Sequence, residues 1–361
     1  MNNCWLFHPE YNNLSSRSAD SSLNELRLLA KSINLKILKS VVIKVKKVSP
    51  SSYFGNGKVN EIAKDLKIKN PKRCVIIIND RLSPIQQRNL ENLWSFKILD
   101  RTSLILEIFG SRAVTKEGSL QVELAHITWQ KSRLVRTWTH LERQRGGRGF
   151  LGGPGELQIE LDRRYLTSRI KKINHELKKI KRTRTLHRNK RKREFPLVSL
   201  IGYTNAGKST LFNKLTGSKE LAKDMLFATL DPKHRKVTMS YKNQFILSDT
   251  VGFVSKLPTE LIEAFKATLD EIIYSDLILH IRDISHEDYD IQNKDVINIV
   301  RNIFNIDNCE MPENYIEVIN KIDKVNFLHN SSNNTINKIF ISAKTGEGIE
   351  DLIKTIITRL K

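Results

Sequence analysis

Apolar positions along this chain follow two different periods, and the change of period divides it. From Leu197 onward, short apolar runs recur at 197–201, 245–248, 277–281, 316–319 and 339–341, and stretches of helical spacing separate several of them. Brief apolar runs bounded by polar segments are what buried strands look like. Strands alternating with helices predict a parallel sheet covered on both faces. Residues 1–110 predict a smaller α/β unit. There Val41, Ile43 and Val45 alternate, Cys74-Val75-Ile76-Ile77-Ile78 reads as a buried strand, and 96–99 as a further one. Ser83-Pro84-Ile85-Gln86 opens a helix, with Ser83 as cap, Pro84 in the first turn and Gln86 completing a capping box. Gly55-Asn56-Gly57 predicts a turn before a helix over about 58–67.

Between these regions the period changes to a heptad. Leu120, Leu124, Ile127, Leu134, Trp138 and Leu141 form one stripe, interrupted at Lys131, and Leu166, Ile170, Ile173, Leu177 and Ile180 form another. Two such helices joined by a loop predict an antiparallel hairpin over 111–193 packed by ordinary apolar contact.

Charge sets that middle segment apart. The chain of 361 residues carries a formal net charge of +22, and residues 131–193 hold 21 Lys and Arg against 5 Asp and Glu, a net of +16. Such concentration implies a polyanion as partner. The loop between the helices, Arg145-Gly146-Gly147-Arg148-Gly149-Phe150-Leu151-Gly152-Gly153-Pro154-Gly155, is dense in glycine. Its backbone can approach a ligand closely. Arg143, Arg145 and Arg148 are candidate phosphate contacts, and Phe150 a candidate platform for an RNA base. No apolar run reaches membrane-spanning length, and Met1-Asn2-Asn3-Cys4-Trp5 lacks the layout of a secretory signal. Cys4, Cys74 and Cys309 offer neither a disulfide framework nor a Cys-x-x-Cys metal site. The expected location is the cytoplasm, in part at the membrane periphery, and the expected oligomeric state is a monomer.

The chemistry is concentrated after the first long apolar run. Gly202-Tyr203-Thr204-Asn205-Ala206-Gly207-Lys208-Ser209 fits the phosphate-loop pattern G-x-x-x-x-G-K-[ST] and stands between a predicted strand and a predicted helix. Curled backbone N–H groups and a helix N-terminus hold phosphate oxygens in such a loop. Lys208 reaches the β- and γ-phosphates in this reading, and Ser209 ligates Mg²⁺. Four further elements follow the loop along the chain. Asp249-Thr250-Val251-Gly252 comes after an apolar strand, with Asp249 placed to hold Mg²⁺ through water and Gly252 to sense the γ-phosphate. Phe227-Ala228-Thr229-Leu230-Asp231-Pro232 supplies Thr229 as a further Mg²⁺ ligand in a switch loop. Asn320-Lys321-Ile322-Asp323 supplies Asp323, whose carboxylate can accept from both N1–H and the 2-amino group of guanine. Adenine has neither donor, so a mismatch leaves the carboxylate unpaired. Ser342-Ala343-Lys344 can bring a backbone N–H to guanine O6. The expected fold class is α/β: a P-loop GTPase domain over 194–361, preceded by a small N-terminal α/β domain over 1–110 and the basic hairpin over 111–193. GTP or GDP with Mg²⁺ is the expected ligand.

Beyond these generic elements the chain resembles the HflX family of ribosome-associated GTPases. The resemblance rests on Gly55-Asn56-Gly57-Lys58-Val59, on Asn79-Asp80-Arg81-Leu82-Ser83-Pro84-Ile85-Gln86-Gln87-Arg88-Asn89-Leu90-Glu91, on Asp100-Arg101-Thr102 and on Gly118-Ser119-Leu120-Gln121-Val122-Glu123-Leu124-Ala125. It also rests on Gly153-Pro154-Gly155-Glu156, Asp162-Arg163-Arg164, and the segments 227–232 and 249–253. It implies binding to the 50S ribosomal subunit and its rRNA, with GTP hydrolysis coupled to ribosome splitting, rescue or biogenesis. Hydrolysis is expected to be slow alone and stimulated by the ribosome. A different class of reading is an RNA-binding or RNA-remodelling protein in which the nucleotide is mainly a structural ligand.

Two departures matter. Phe253 stands where many GTPases have a glutamine that orients water, so the catalytic side chain is left unassigned, although the family shares an apolar residue here. Asn205 within the phosphate loop implies a K⁺ site, or else simply braces the loop. Longer family members carry an additional C-terminal domain, which puts any function tied to it in doubt here. His280 is expected to be a core or edge residue rather than a ligand, and Arg282 to lie at an exposed strand end.

Overall fold

The computed structural model describes residues 3–11, 17–69, 74–142, 154–192, 195–218, 226–227, 232–240, 243–304, 311–325 and 337–360. Two compact units result. One comprises Met1–Ser111, Ser119–Lys178 and Pro258–Ala264, the other Arg112–Gly118, Lys179–Leu257 and Phe265–Lys361.

The first unit holds β1 (Asn3–Tyr11), α1 (Ala19–Ser32), β2 (Lys36–Val45), α2 (Asn56–Lys69), β3 (Cys74–Ile78), α3 (Pro84–Trp94), β4 (Lys97–Asp100) and α4 (Arg101–Arg112). Its four strands are all parallel in the order β2-β1-β3-β4. Trp5, Phe7, Ile76, Ile78, Phe54 and Trp94 form the centre of its core. The capping box predicted at α3 is present: Gln86 N donates to Ser83 Oγ at 3.2 Å and Ser83 N to Gln86 Oε1 at 2.9 Å. The apolar pattern gives no warning of β1, because Trp5-Leu6-Phe7 is only three residues long and Pro9 follows. The predicted turn at Gly55–Gly57 is also corrected. The helix starts at Asn56, so Gly57 lies in its first turn.

Helix α5 (Lys116–Glu142) and helix α6 (Pro154–Lys192) carry the heptad stripes. Leu120, Ile127 and Ile173 are buried, and Leu124, Leu134, Leu166, Ile170, Leu177 and Ile180 are half-buried. Glu123 of α5 pairs with Arg169 of α6 at 2.7 Å.

The second unit contains β5 (Leu197–Gly202), α7 (Lys208–Thr216), β6 (Lys233–Ser240), β7 (Asn243–Asp249), α9 (Lys266–Ile273), β8 (Leu277–Asp283), α10 (Tyr289–Phe304), β9 (Tyr315–Asn320), a 3-10 turn (Ile322–Lys324), β10 (Lys338–Phe340) and α11 (Ile349–Arg359). Helix α8 (Thr259–Ala264) belongs to the first unit instead. The sheet runs β10-β9-β8-β5-β7-β6, parallel except for β6, which pairs antiparallel at the edge. Strand β6 escapes the sequence pattern for a physical reason. Of residues 233–239 in Lys233-His234-Arg235-Lys236-Val237-Thr238-Met239, only Val237 is buried, as in an edge strand with one solvated face. Strand β5 lies between β7 and β8, so the segment leaving its C-terminal end enters the position where open α/β sheets bind ligands.

Candidate nucleotide site

The phosphate loop leaves β5 through two glycines that nothing else could replace. Gly202 has φ of +145°, and a Cβ there would lie 2.2 Å from the Ile281 carbonyl oxygen. Gly207 has φ of +97°, and its Cβ would lie 2.2 Å from Asn320 Nδ2. Between them Asn205 also adopts a left-handed conformation, with φ of 62°. Gly207 caps α7, so the helix N-terminus opens directly onto the loop. Lys208 is buried, and its Nζ donates to the carbonyls of Gly202 at 3.0 Å and Tyr203 at 2.8 Å. Burial pushes its pKa down to about 8, against the opposing pull of Asp249. The Thr204 hydroxyl is buried without a hydrogen-bond partner.

The end of β7 meets the start of α7. Ser209 Oγ donates to Asp249 Oδ2 at 2.8 Å, and Asp249 is 2% exposed. Next to it the Thr250 hydroxyl donates to the Leu200 carbonyl at 2.6 Å, which fixes the 249–252 segment to β5. A hydroxyl touching a carboxylate, both hard oxygen donors beside a phosphate loop, is a donor set suited to Mg²⁺. That ion usually takes one or two protein oxygens and completes its shell with phosphate and water. The arrangement therefore fits Mg²⁺ at Ser209 and Asp249.

The base-side motifs are tied to the phosphate loop through one side chain. Asn320 Nδ2 donates to the Ala206 carbonyl at 2.8 Å, and Asn320 Oδ1 accepts from Ala343 N at 2.9 Å. One buried amide thus joins the phosphate loop, the end of β9 and the loop after β10. Asp323 is exposed, and its Oδ1 accepts from Ser342 Oγ at 2.6 Å. Lys321 adopts φ of 65° and pairs with Asp283 at 2.6 Å. Sequence spacing does not reveal that Asn320 is the joint, nor that the Ser342 hydroxyl orients Asp323. The pairing of β9 with β10 brings Asn320 and Asp323 to the loop after β10, and the bond to Ala206 reaches across to the loop after β5.

Other expectations resolve differently. Phe227 is buried with φ of 54°, whereas Ala228, Thr229, Leu230 and Asp231 lie outside the described residues, as do Arg143, Arg145, Arg148 and Phe150. His280 is a core residue: its Nδ1 lies 2.5 Å from the Tyr315 hydroxyl, and burial, with Arg282 and Lys208 nearby, pushes its pKa down to about 3. Arg282 is not an exposed strand end. It is 7% exposed, pairs with Glu317 at 2.8 Å and Asp290 at 3.5 Å, and stacks on Tyr289 at 3.8 Å. The Asn79–Arg81 and Asp100–Thr102 motifs build framework. Arg101 Nη1 donates to Asn79 Oδ1 at 2.6 Å, and Asp100 Oδ1 accepts from Ser103 N at 2.7 Å, capping α4.

Comparison with known proteins agrees with this geometry. Residues 20–110 match the model of a GTP-binding GTPase N-terminal region, 112–191 that of a GTP-binding GTPase middle region, and 197–321 that of a 50S ribosome-binding GTPase. The chain is 45% identical over 343 residues to the GTPase HflX of Magnetococcus marinus, covering 92% of this chain and 76% of that protein. It is 42% identical over 344 residues to the GTPase HflX of Escherichia coli, covering 94% and 79%. Among solved structures, a GTP-binding protein from the archaeon Sulfolobus solfataricus in complex with GDP has the same fold. Its identity is 24% and its TM-score 0.50, with 100% of this chain and 99% of that one covered.

Proposed function

This chain belongs to the HflX family of GTPases and hydrolyses GTP, and from that premise we propose that it binds the large ribosomal subunit through rRNA and couples its nucleotide cycle to that contact. The observation that carries the proposal is the net +16 of residues 131–193, which include the C-terminal part of α5 and all of α6. Solubility does not require one sign of charge to be gathered on one hairpin, whereas an RNA backbone does. In this reading residues 1–110, 111–193 and 194–361 act as three functional parts. Arg143, Arg145, Arg148 and Phe150 at the hairpin loop contact RNA, and the last part carries the nucleotide.

Within the nucleotide site we assign phosphates to the backbone of 202–209 and to Lys208, and the guanine edge to Asp323 with Asn320, Lys321, Ser342, Ala343 and Lys344. Ser209 and Asp249 hold Mg²⁺, with Thr229 joining when triphosphate binds. The bound ion would neutralise charge developing between the β- and γ-phosphoryl oxygens. The protein's part is positional: Gly252 N–H and Lys208 aim donors at the γ-phosphate. No side chain is assigned to activate water, because Phe253 has no polar group. Ordering of the switches by the ribosome then accounts for stimulation of a slow intrinsic reaction, and the consequence is subunit splitting, rescue or assembly.

Two measurements test the finer points. Binding to isolated 50S subunits should fall steeply with salt. About five phosphate contacts give a loss on the order of a hundredfold between roughly 50 and 200 mM monovalent salt. A flat response removes the basic hairpin as the main contact. For Asn205 we propose a K⁺ site beside the β- and γ-phosphates. Hydrolysis should then be at least about tenfold faster in K⁺ than in Na⁺ at equal ionic strength. Equal rates leave Asn205 as a brace only.

A further inference from the structure

The segment that follows Asp249 does not simply run past the phosphate loop; it is bonded to it along a short parallel seam. Tyr203 and Phe253 form a parallel bridge. Phe253 N donates to the Gly202 carbonyl at 3.1 Å, and Thr204 N donates to the Phe253 carbonyl at 2.7 Å. These two bonds use only main chain, and any sequence could make them. The third does not: Ser255 N donates to the Tyr203 hydroxyl at 2.6 Å. Tyr203 is 5% exposed and Phe253 2% exposed. A long, rigid, buried ring thus carries one acceptor from the second position of the phosphate loop to the fourth residue after Val251.

The seam determines where Gly252 sits. A Cβ on Gly252 would lie 2.8 Å from Thr204 Cγ2 and 3.0 Å from Lys208 Nζ. The glycine backbone and the lysine ammonium therefore occupy neighbouring positions in the site. Lys208 in turn donates to the carbonyls of Gly202 and Tyr203, the residues on which the seam is built. The two donors a γ-phosphoryl group needs, an N–H of the 249–252 segment and the loop lysine, are held side by side by protein bonds alone. Donors fixed in advance need no reorganisation when charge arrives.

We propose that Tyr203 is a positioning residue for GTP hydrolysis: its hydroxyl clamps Ser255, seats Gly252 beside Lys208, and makes the site favour triphosphate over diphosphate. The clamp also accounts for Phe253 at a position that elsewhere orients water. Its main chain is committed to the seam and its ring is buried, so the segment's contribution is the placement of Gly252.

Tyr203→Phe keeps the ring and deletes the acceptor. Affinity for GDP should stay within about twofold of wild type, whereas affinity for a non-hydrolysable GTP analogue should fall about fivefold, the scale of one hydrogen bond. The kcat for GTP should fall by a similar factor, and the Ser255 amide should exchange with solvent faster. Tyr203→Leu, which also removes the ring, should show the same selective loss of the triphosphate. If Tyr203→Phe retains the wild-type ratio of analogue to GDP affinity and wild-type kcat, the clamp has no such role. If Tyr203→Leu loses GDP and analogue equally while Tyr203→Phe is silent, the side chain is packing only, and the proposal also fails.

Discussion

Asp323→Asn should convert a guanosine-specific site into one that prefers xanthosine triphosphate. In the proposed assignment the carboxylate accepts from two donors on guanine; in the structure the Ser342 hydroxyl donates to its Oδ1 at 2.6 Å. Asparagine offers an NH₂ group where guanine also offers one, so a bond becomes a donor–donor clash. Two charge-assisted bonds of about 1.5 kcal/mol each correspond to a loss of more than about a hundredfold for GTP. Xanthine carries a carbonyl in place of the 2-amino group and accepts from the new amide. Competition of GTP and xanthosine triphosphate against a labelled nucleotide reads this directly. Unchanged preference would show that Asp323 does not face the base. ATP should compete poorly with either form, because adenine presents neither donor to the wild-type carboxylate. Efficient competition by ATP at the wild-type site would show that Asp323 does not set base specificity.

Lys208→Ala should reduce affinity for GTP and GDP by at least about a hundredfold, the scale of removing a buried charge-assisted contact with phosphate. It should leave the fold intact. Among the described residues Lys208 Nζ hydrogen-bonds two carbonyls of its own loop, and burial already disfavours its charge, with the pKa pushed down to about 8 from an ordinary 10.5. Because the folded-state pKa is below the unfolded one, the unfolded chain binds more protons between those two values. The nucleotide-free protein should therefore gain stability as pH rises through that window, and the alanine variant should lose this dependence. A bound phosphate reverses the sign locally, since an anion raises the lysine pKa. Nucleotide binding above about pH 8 should thus take up a proton, visible in calorimetry as a dependence on buffer ionisation heat. Wild-type nucleotide affinity in the variant would contradict the assignment.

Much of this site is legible in the sequence because phosphate chemistry constrains backbone as well as side chains. Gly202 and Gly207 stand where a Cβ would meet a carbonyl or an amide at 2.2 Å, so the pattern of glycines is itself a record of geometry. The same is true of the α3 capping box at Ser83 and Gln86, a purely local device. What spacing cannot reveal is non-local. Asn320 joins Ala206 to Ala343 across 114 and 23 residues of chain. Tyr203 reaches Ser255 across 52. Arg282 looks out of place in an apolar strand until Glu317, Asp290 and Tyr289 arrive from neighbouring elements to surround it. Strands β1 and β6 are missed for opposite reasons. One hides a buried centre, Cys4 to Phe7, in a run too short to stand out, and the other is an edge strand in which Val237 alone is buried among residues 233–239. The family motifs at Asn79 and Asp100 mark framework, since their polar groups bond Arg101 and cap α4.

The most direct test of the coupling between nucleotide site and RNA surface is multiple-turnover GTP hydrolysis, followed while purified 50S subunits are titrated in at low salt. The rate should rise and saturate with subunit concentration, and the increment should vanish at high salt and in Lys208→Ala. A rate that stays at its intrinsic level while sedimentation shows the chain bound to the subunits would contradict the account.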